Sequence, residues 1–597
     1  MSTANTTTAH TTTAQTTTAQ TTPTRLAVIV ERDVPIPMRD GVILYADIYR
    51  PEVGVHPVLL LRTPYNKEDA QTMNYAHPSW YAQHGYVVIV QDVRGRWKSE
   101  GEFEPYRNEV WDGYDTIEWA AALPDVIPKV GTYGFSYAGA AQWHAATARP
   151  PHLACMTPAM TGSDAYQGGV YRNGAFALAC NQSWIMFLTQ NTARRHGRPE
   201  WERELARGGS VIHGLYSTLP LRDMPLMNGE FAPFYQEWLQ HPTRDEYWRA
   251  LSIEERYDRI EVPVLHIGGW YDPFVDGTIR NYKGVQQQGA SEEARENQYL
   301  RITPWYHMPW SRYVSELDFG IEASNRVNEW QLTWFDRWLK GDEHALQSWN
   351  KISYFEMGSN QWKHTQTWPP PQVELTKYYL HGDRANSING DGRLSQESPS
   401  DGPLLADTYI YDPLIPVPAL GGRSGAVPDL TPMGPKLQLA NEVRNDVLVY
   451  TTEPLDRSVT VAGEVVARVY AATTAVNTDF VAKLIDVYPD GRAYNIAEGI
   501  VRTAYRHSLD HLEPVVPGEV VAYDISLGPT AIVFQKGHAI RLEITSSLFP
   551  TYDRNPNSMI PPGDVTISDL ALATQTVYRY DAFPSHLLLP IVSVPSL

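Results

Sequence analysis

Cysteine is almost absent: Cys155 and Cys180 are the only two in 597 residues. No disulfide framework can be built from one pair, and neither stands in a zinc-ligand spacing, so both are expected as buried free thiols. Long apolar runs are also missing. No window reaches the ~18 uninterrupted apolar residues that a membrane span requires, and the Thr-Thr-Thr-Ala repeats before Arg25 lack the apolar stretch of a secretory signal. Positive charge is scarce: 49 Lys and Arg against 68 Asp and Glu leave a formal net charge of −19. That balance speaks against nucleic acid or an anionic membrane surface as a partner. A cytoplasmic protein is expected.

What is present is ordinary for a large globular chain, with 43% hydrophobic and 20% charged residues. The 45 prolines point to many turns and short strands. The length calls for several domains. Residues 1–25 read as a disordered Thr-rich tail. Then come strand-like alternation in "LAVIVERDVPIPMRDGVILYADIYRP", with a hairpin signal at Asp40-Gly41, and short continuous apolar runs, "HPVLLLRTPY", "YVVIVQDVRG", "VPVLHIGGW" and "QYLRITPW". Such runs, separated by helical stretches, belong to a mostly parallel sheet covered on both faces.

The spacing therefore predicts an α/β core over 26–150 and 256–349. A helical insertion is expected over 151–255, where "NGAFALACNQSWIMFLTQNTARR" and "TRDEYWRALSIEERYDRI" read as helices. From 350 to 597, short β-rich runs between Gly, Pro and Asp turns predict a separate β-sandwich.

Ser136 stands in "VGTYGFSYAGAAQW", where a buried strand passes into a helix. A nucleophile on such a turn needs small neighbours, which Gly134, Ala138 and Gly139 supply, and it faces free N–H groups at the helix start. A serine hydroxyl also needs a histidine base and an orienting carboxylate, in the order Ser, Asp, His on later strand ends. Asp272 follows the strand "VPVLHIGGWY", and His307 follows "YLRITPWY". Asp276 is the rival carboxylate but falls where a helix cap is expected. His266 lies inside its strand and reads as packed. Nothing calls for a metal or other cofactor, and no phosphate-cradling glycine loop is found.

The stretches "IPMRDGVILYADIYRP", "RTPYNK", "VVIVQDVRGRWKSEGEF", "VGTYGFSYAGAAQW", "GGWYDPF", "ITPWYH", "WFDRWLKG" and "RLEITSSLFPTYDRNPN" carry a resemblance over nearly the whole chain after the tail. The sequence resembles the cocaine esterase-like hydrolases of the CocE/NonD family, and is similar to the catalytic parts of X-prolyl dipeptidyl-peptidases and α-amino-acid ester hydrolases. Its nucleophile pattern is G-x-S-Y-x-G, which Gly134 to Gly139 satisfy.

The resemblance implies an α/β-hydrolase core with an inserted helical cap and a carboxy-terminal jelly roll. It implies Ser136 as nucleophile, His307 as base and then acid, and Asp272 as the orienting carboxylate. The Tyr137 N–H and the Tyr65 hydroxyl would form the oxyanion hole. Tyr166, Tyr171 and Trp184 of the cap, with Trp270, Tyr271, Phe274 and Trp305 of the core, are expected to line an apolar acyl pocket. Arg94 and Arg96 are expected to hold loops rather than to take part in chemistry.

The expected activity is hydrolysis of a small or medium carboxylic ester through an acyl-enzyme, on a small-molecule substrate. A homodimer is compatible with all of this. Amide cleavage, X-prolyl dipeptide release and α-amino-acid ester hydrolysis are the alternatives. For the last, carboxylates such as Asp164 would have to converge on the substrate ammonium. A non-catalytic binding protein is the remote alternative.

Overall fold

The computed structural model describes residues 26–593 other than 228, 400–404, 426 and 428. The expected Thr-rich tail lies outside the described residues. Ten strands form the first sheet: β1 (Val28–Pro37), β2 (Ile43–Pro51), β3 (His56–Thr63), β4 (Val87–Asp92), β5 (Val126–Phe135), β6 (Leu153–Ala159), β7 (Val264–Tyr271), β8 (Gln298–Tyr306), β9 (Ile352–Glu356) and β10 (Gln361–Thr365). Their spatial order is β1-β2-β4-β3-β5-β6-β7-β8-β9-β10. From β4 across to β9 every neighbouring pair is parallel, while β1 on β2, β2 on β4 and β10 on β9 run antiparallel.

Pattern and burial agree along this sheet. Every residue of β4 and of β7 is buried, as expected of central parallel strands covered on both faces. The covering layers include α1 (Pro78–Gln83), α2 (Glu109–Ala121) and α3 (Tyr137–Thr147). The hairpin expected at Asp40-Gly41 joins β1 to β2, with Gly41 at φ +88°. A positive φ there suits glycine, which has no Cβ to clash.

Two expected boundaries shift. The hairpin of β9 and β10 belongs to the first sheet, because β9 pairs in parallel with β8 through Leu300 and Ile352. This hairpin, expected among the β-rich runs that follow residue 350, thus extends the core sheet. Similarly, "LACMTPA" is strand β6 of the core sheet, so the insertion starts beyond Ala159 rather than at Pro151. Both segments carry a strand pattern, and neither pattern says which sheet the strand will join.

Within the insertion, α4 (Leu178–Arg195) and α5 (Pro199–Leu215) pack together around Ile185, Met186, Leu205 and Ile212. "TRDEYWRALSIEERYDRI" gives a short α-helix, Glu246–Arg249, and a 3-10 helix, Glu254–Arg259, in place of one continuous helix.

Of the strands from Val373–His381 to His586–Val592, twelve form one sheet, and Gly422–Arg423 pairs separately with Met433–Gly434. The spine of the sheet is Val459–Thr473, which pairs antiparallel with Val521–Phe534. This domain grips the core beside the first sheet's carboxyl edge. Arg423 donates from Nε to the Trp270 carbonyl at 2.7 Å and from its other nitrogens to the carbonyls of Leu527 and Pro529. The Tyr271 hydroxyl donates to the Asn495 carbonyl at 3.0 Å. No helix among the described residues is long and apolar enough to cross a membrane.

Candidate active site

Strand β5 ends at Phe135 and α3 starts at Tyr137, so Ser136 carries the whole turn. Its φ is +61° and ψ −127°, a backbone region that costs a non-glycine residue of order 1–3 kcal/mol and persists only when the surroundings enforce it. They do. Ser136 N–H donates to the Ala159 carbonyl at 3.0 Å. A Cβ on Gly134, whose φ is +137°, would lie 2.7 Å from the Ala138 Cβ, and one on Gly139 would lie 2.9 Å from the Thr161 Cβ. The small residues of the motif are therefore contact requirements. No side chain among the described residues caps α3, and the first N–H groups of a helix have no intrahelical acceptor, so the Tyr137 N–H, beside the serine, has no acceptor among the described residues.

Asp272 and His307 follow the carboxyl ends of β7 and β8, where open α/β sheets place their sites. His307 Nε2 lies 2.9 Å from Ser136 Oγ, and its Nδ1 lies 2.7 Å from Asp272 Oδ1. The other Asp272 oxygen accepts from the Phe274 N–H at 3.2 Å. Both side chains are buried. Burial raises the Asp272 carboxyl above its usual range, opposed first by the hydrogen bond and charge of His307. Phe274 and Phe135 meet the imidazole at ring distances of 5.5 and 5.7 Å, and the Trp310 indole N–H holds the His307 carbonyl at 2.9 Å. A serine, an oriented imidazole and a buried carboxylate in line can transfer an acyl group.

The two rival residues lie elsewhere. Asp276 begins the helix Val275–Gln288 and accepts from Arg172 at 3.1 Å. His266 stays inside β7, 2.7 Å from Gln298 Oε1.

Tyr65 stands beside the serine. Its phenol oxygen accepts from the Trp184 indole N–H at 2.9 Å. Burial raises its pKa, and the nearby Ser136 hydroxyl and Trp184 oppose that rise. Tyr137 sends its side chain the other way: its hydroxyl donates to Glu109 at 2.9 Å and accepts from the Tyr106 N–H at 3.0 Å. Only its backbone N–H is left for the site.

The serine opens into a cavity whose walls include Trp184 and Phe274. Five other expected wall residues are not there. Tyr166 and Tyr171 stack on one another at 4.8 Å in the interior of the insertion, with their hydroxyls on the carbonyls of Pro242 and Trp238. Trp270 and Trp305 belong to the core of the sheet, their indoles donating to the carbonyls of Phe355 and Ala323. Tyr271 is buried against the β domain. An aromatic in a strand reads alike whether its partner is core or cavity.

In their place the cavity takes Tyr106, His144, Cys180 and Trp238. Only the helical spacing of His144 from Ser136 could have marked one of them from sequence. Arg94 pairs with Asp40 and Asp112. Arg96 donates to the carbonyls of Pro64 and Leu188 and to Thr192, tying the loop after β4 to α4. No cluster of metal-ligating side chains occurs among the described residues.

The fold and this site define a serine hydrolase of the α/β type. The model of the X-Pro dipeptidyl-peptidase (S15) family matches residues 40–309, and that of the X-Pro dipeptidyl-peptidase C-terminal non-catalytic domain matches residues 344–588. The chain is 36% identical over 581 residues to the cocaine esterase of Rhodococcus sp. (strain MB1 Bresler), a match covering 94% of this chain and 98% of the relative. Among solved structures, an α-amino acid ester hydrolase is 25% identical with a TM-score of 0.79, over 97% of this chain and 100% of the other. A CocE/NonD family hydrolase from Staphylococcus aureus gives 0.68 at 20% identity, over 95% and 94%, and shows the same fold. The chain belongs to the cocaine esterase-like hydrolases of the CocE/NonD family.

Proposed function

We propose that this protein hydrolyses uncharged carboxylic esters through an acyl-enzyme on Ser136. The observation that carries the reading is the continuous chain Ser136 Oγ, His307, Asp272, with contacts of 2.9 and 2.7 Å. Ser136 Oγ attacks the ester carbonyl as His307 Nε2 takes its proton, and Asp272 stabilises the imidazolium. The oxyanion is received by the Tyr137 N–H and the Tyr65 hydroxyl. The C–O bond to the alcohol breaks as His307 returns the proton to the leaving oxygen. Water then repeats the sequence on the acyl-enzyme, releasing the acid.

The preference for uncharged substrates rests on Asp164, the one carboxylate lining the cavity. Arg244 donates to its Oδ2 at 3.0 and 2.8 Å, and the N–H groups of Tyr166 and Gln167 occupy its Oδ1. A paired carboxylate is a poor anchor for a substrate ammonium, which disfavours α-amino-acid esters and dipeptides. Amide cleavage remains the second activity to assay.

In this reading the carboxy-terminal domain is a jelly roll that closes one wall of the site. Its Gly425 lies so near the triad that a Cβ there would be 3.3 Å from the His307 Cβ. The net charge of −19 suits a cytoplasmic enzyme without nucleic-acid or membrane partners, and sedimentation velocity decides whether it is a homodimer.

The test is mass spectrometry after treatment with a small fluorophosphonate, followed by a panel of neutral, amide and aminoacyl substrates. One adduct on Ser136, lost in His307→Ala, is the expected result, with neutral esters turned over fastest. Folded protein that gains no adduct and hydrolyses no ester overturns the reading.

A further inference from the structure

His144 stands eight residues after Ser136 on the same helix, α3. Ser136, Tyr137, Ala140 and His144 all line the cavity, which is the spacing of one helix face. At 1.5 Å per residue the imidazole stands about 12 Å along the axis from the nucleophile. Both side chains thus border the same cavity, the serine at the amino-terminal end of α3 and a second histidine toward its carboxyl end.

This imidazole is only 4% exposed, yet its ring has no hydrogen-bond partner among the described residues. Its neighbours on the wall are committed. Asp164 is held by Arg244, and Ser163 Oγ donates to Glu254 at 2.5 Å and accepts from Arg280 at 3.2 Å. The Asn181 amide donates to the carbonyls of Val170 and Ala177. The Tyr106 ring lies 5.0 Å from that of Tyr137 and 5.7 Å from that of His144.

Burial, helped by the charge of Arg256, pushes the His144 pKa down to about 3. At neutral pH the ring is uncharged, with one nitrogen donating and the other accepting. On a cavity wall such a ring offers both to a ligand, and a site built to bond one substrate group rejects the analogue that lacks it.

We propose that His144 is a specificity-determining residue: its ring hydrogen-bonds an uncharged polar group held about 10 Å from the ester carbonyl, on an aryl-bearing part of the substrate lying along α3 against Tyr106. The placement of the ester rests on Ser136 being the nucleophile. Phenols and alcohols at the far end of an extended acyl chain are the fitting class.

The experiment compares 4-nitrophenyl esters of ω-phenyl and ω-(4-hydroxyphenyl) alkanoic acids with acyl chains of three to six carbons. The hydroxyl form is expected to have about tenfold higher kcat/KM at one chain length, near five carbons, where bond lengths put the phenol oxygen about 10 Å from the carbonyl. In His144→Phe that preference falls to about onefold, whereas His144→Gln, which keeps a donor and an acceptor, retains part of it. Circular dichroism and thermal midpoints show that the variants are folded.

Calorimetry of the matched methyl esters on Ser136→Ala, with and without His144→Phe, reads the same preference without turnover. No preference at any length, or one that survives His144→Phe, overturns the proposal. Failure of the parent protein to hydrolyse any ester overturns the esterase reading instead, and the calorimetric ratio still decides for or against His144.

Discussion

Trp184 donates its indole N–H to the phenol oxygen of Tyr65 at 2.9 Å. That contact occupies an acceptor site on the oxygen and leaves the hydroxyl proton free to turn toward Ser136. In the proposed mechanism the cap helix α4 thereby aims an oxyanion donor that belongs to the core. Tyr65→Phe is expected to lower kcat on an activated ester by about 100- to 1,000-fold, the usual effect of losing one such donor. Trp184→Phe keeps an aromatic ring in the wall and removes only the aim, so its loss should be about five- to tenfold, the worth of one hydrogen bond. Steady-state kinetics on both variants, with circular dichroism to confirm folding, checks the order.

Asp272 and Asp276 sit four residues apart, but only Asp272 reaches His307. Asp272→Asn should preserve the fold and cut kcat by about 10,000-fold, because the imidazole loses its tautomer and the charge that stabilises it. Asp276→Asn should leave kcat within a fewfold of the parent value, its cost appearing in stability through the loss of the Arg172 pair. Comparable falls in kcat for both variants would refute this assignment.

Stability should depend on pH through His266. Burial pushes its imidazole down to about 4, opposed by the bond to Gln298, whereas the unfolded chain titrates near the ordinary value of about 6.5. The unfolded state therefore takes the proton first. The stability tied to this group is complete above pH 6.5 and drains away as the pH falls toward 4, amounting to about 2 kcal/mol at pH 5. Denaturant unfolding at pH 7.5 and pH 5 should show the difference shrinking by about that amount in His266→Gln.

Arg502 joins the β domain to the cap. It donates to both oxygens of Asp479 at 2.9 Å and to Asp553, whose Oδ1 also accepts the Phe176 N–H at 2.8 Å. All three charged groups are buried. Arg502→Leu leaves two buried carboxylates without their counter-charge, and breaking a buried ion pair in this way costs about 3–5 kcal/mol. A fall in thermal midpoint should accompany it, and the double variant with Asp553→Asn should recover part of the loss. A midpoint unchanged from the parent would mean that water reaches the cluster.

Much of the candidate site is legible in the sequence. Gly134, Ala138 and Gly139 announce a close strand-to-helix turn because only small residues fit there. The continuous apolar runs before Asp272 and His307 announce central strands, whose carboxyl ends are where sites form. The hairpin Ile352–Thr365 was not readable as part of the first sheet, since its alternation is the same in either domain.

The sequence by itself determined which serine stands on the strained turn and in what chain order an acid and a histidine follow it, because these depend on local backbone geometry and strand periodicity. Tertiary structure alone decided which aromatics face the cavity. Trp270 and Trp305 sank into the sheet core, Tyr166 and Tyr171 into the cap, while Tyr106, Trp238 and His144 came to the surface of the site. The reason is physical: an apolar ring gains as much from burial against a strand as against a substrate, so composition and spacing carry no mark of the difference, and only the packing of α3 and α4 against the loops that follow the strands separates the two.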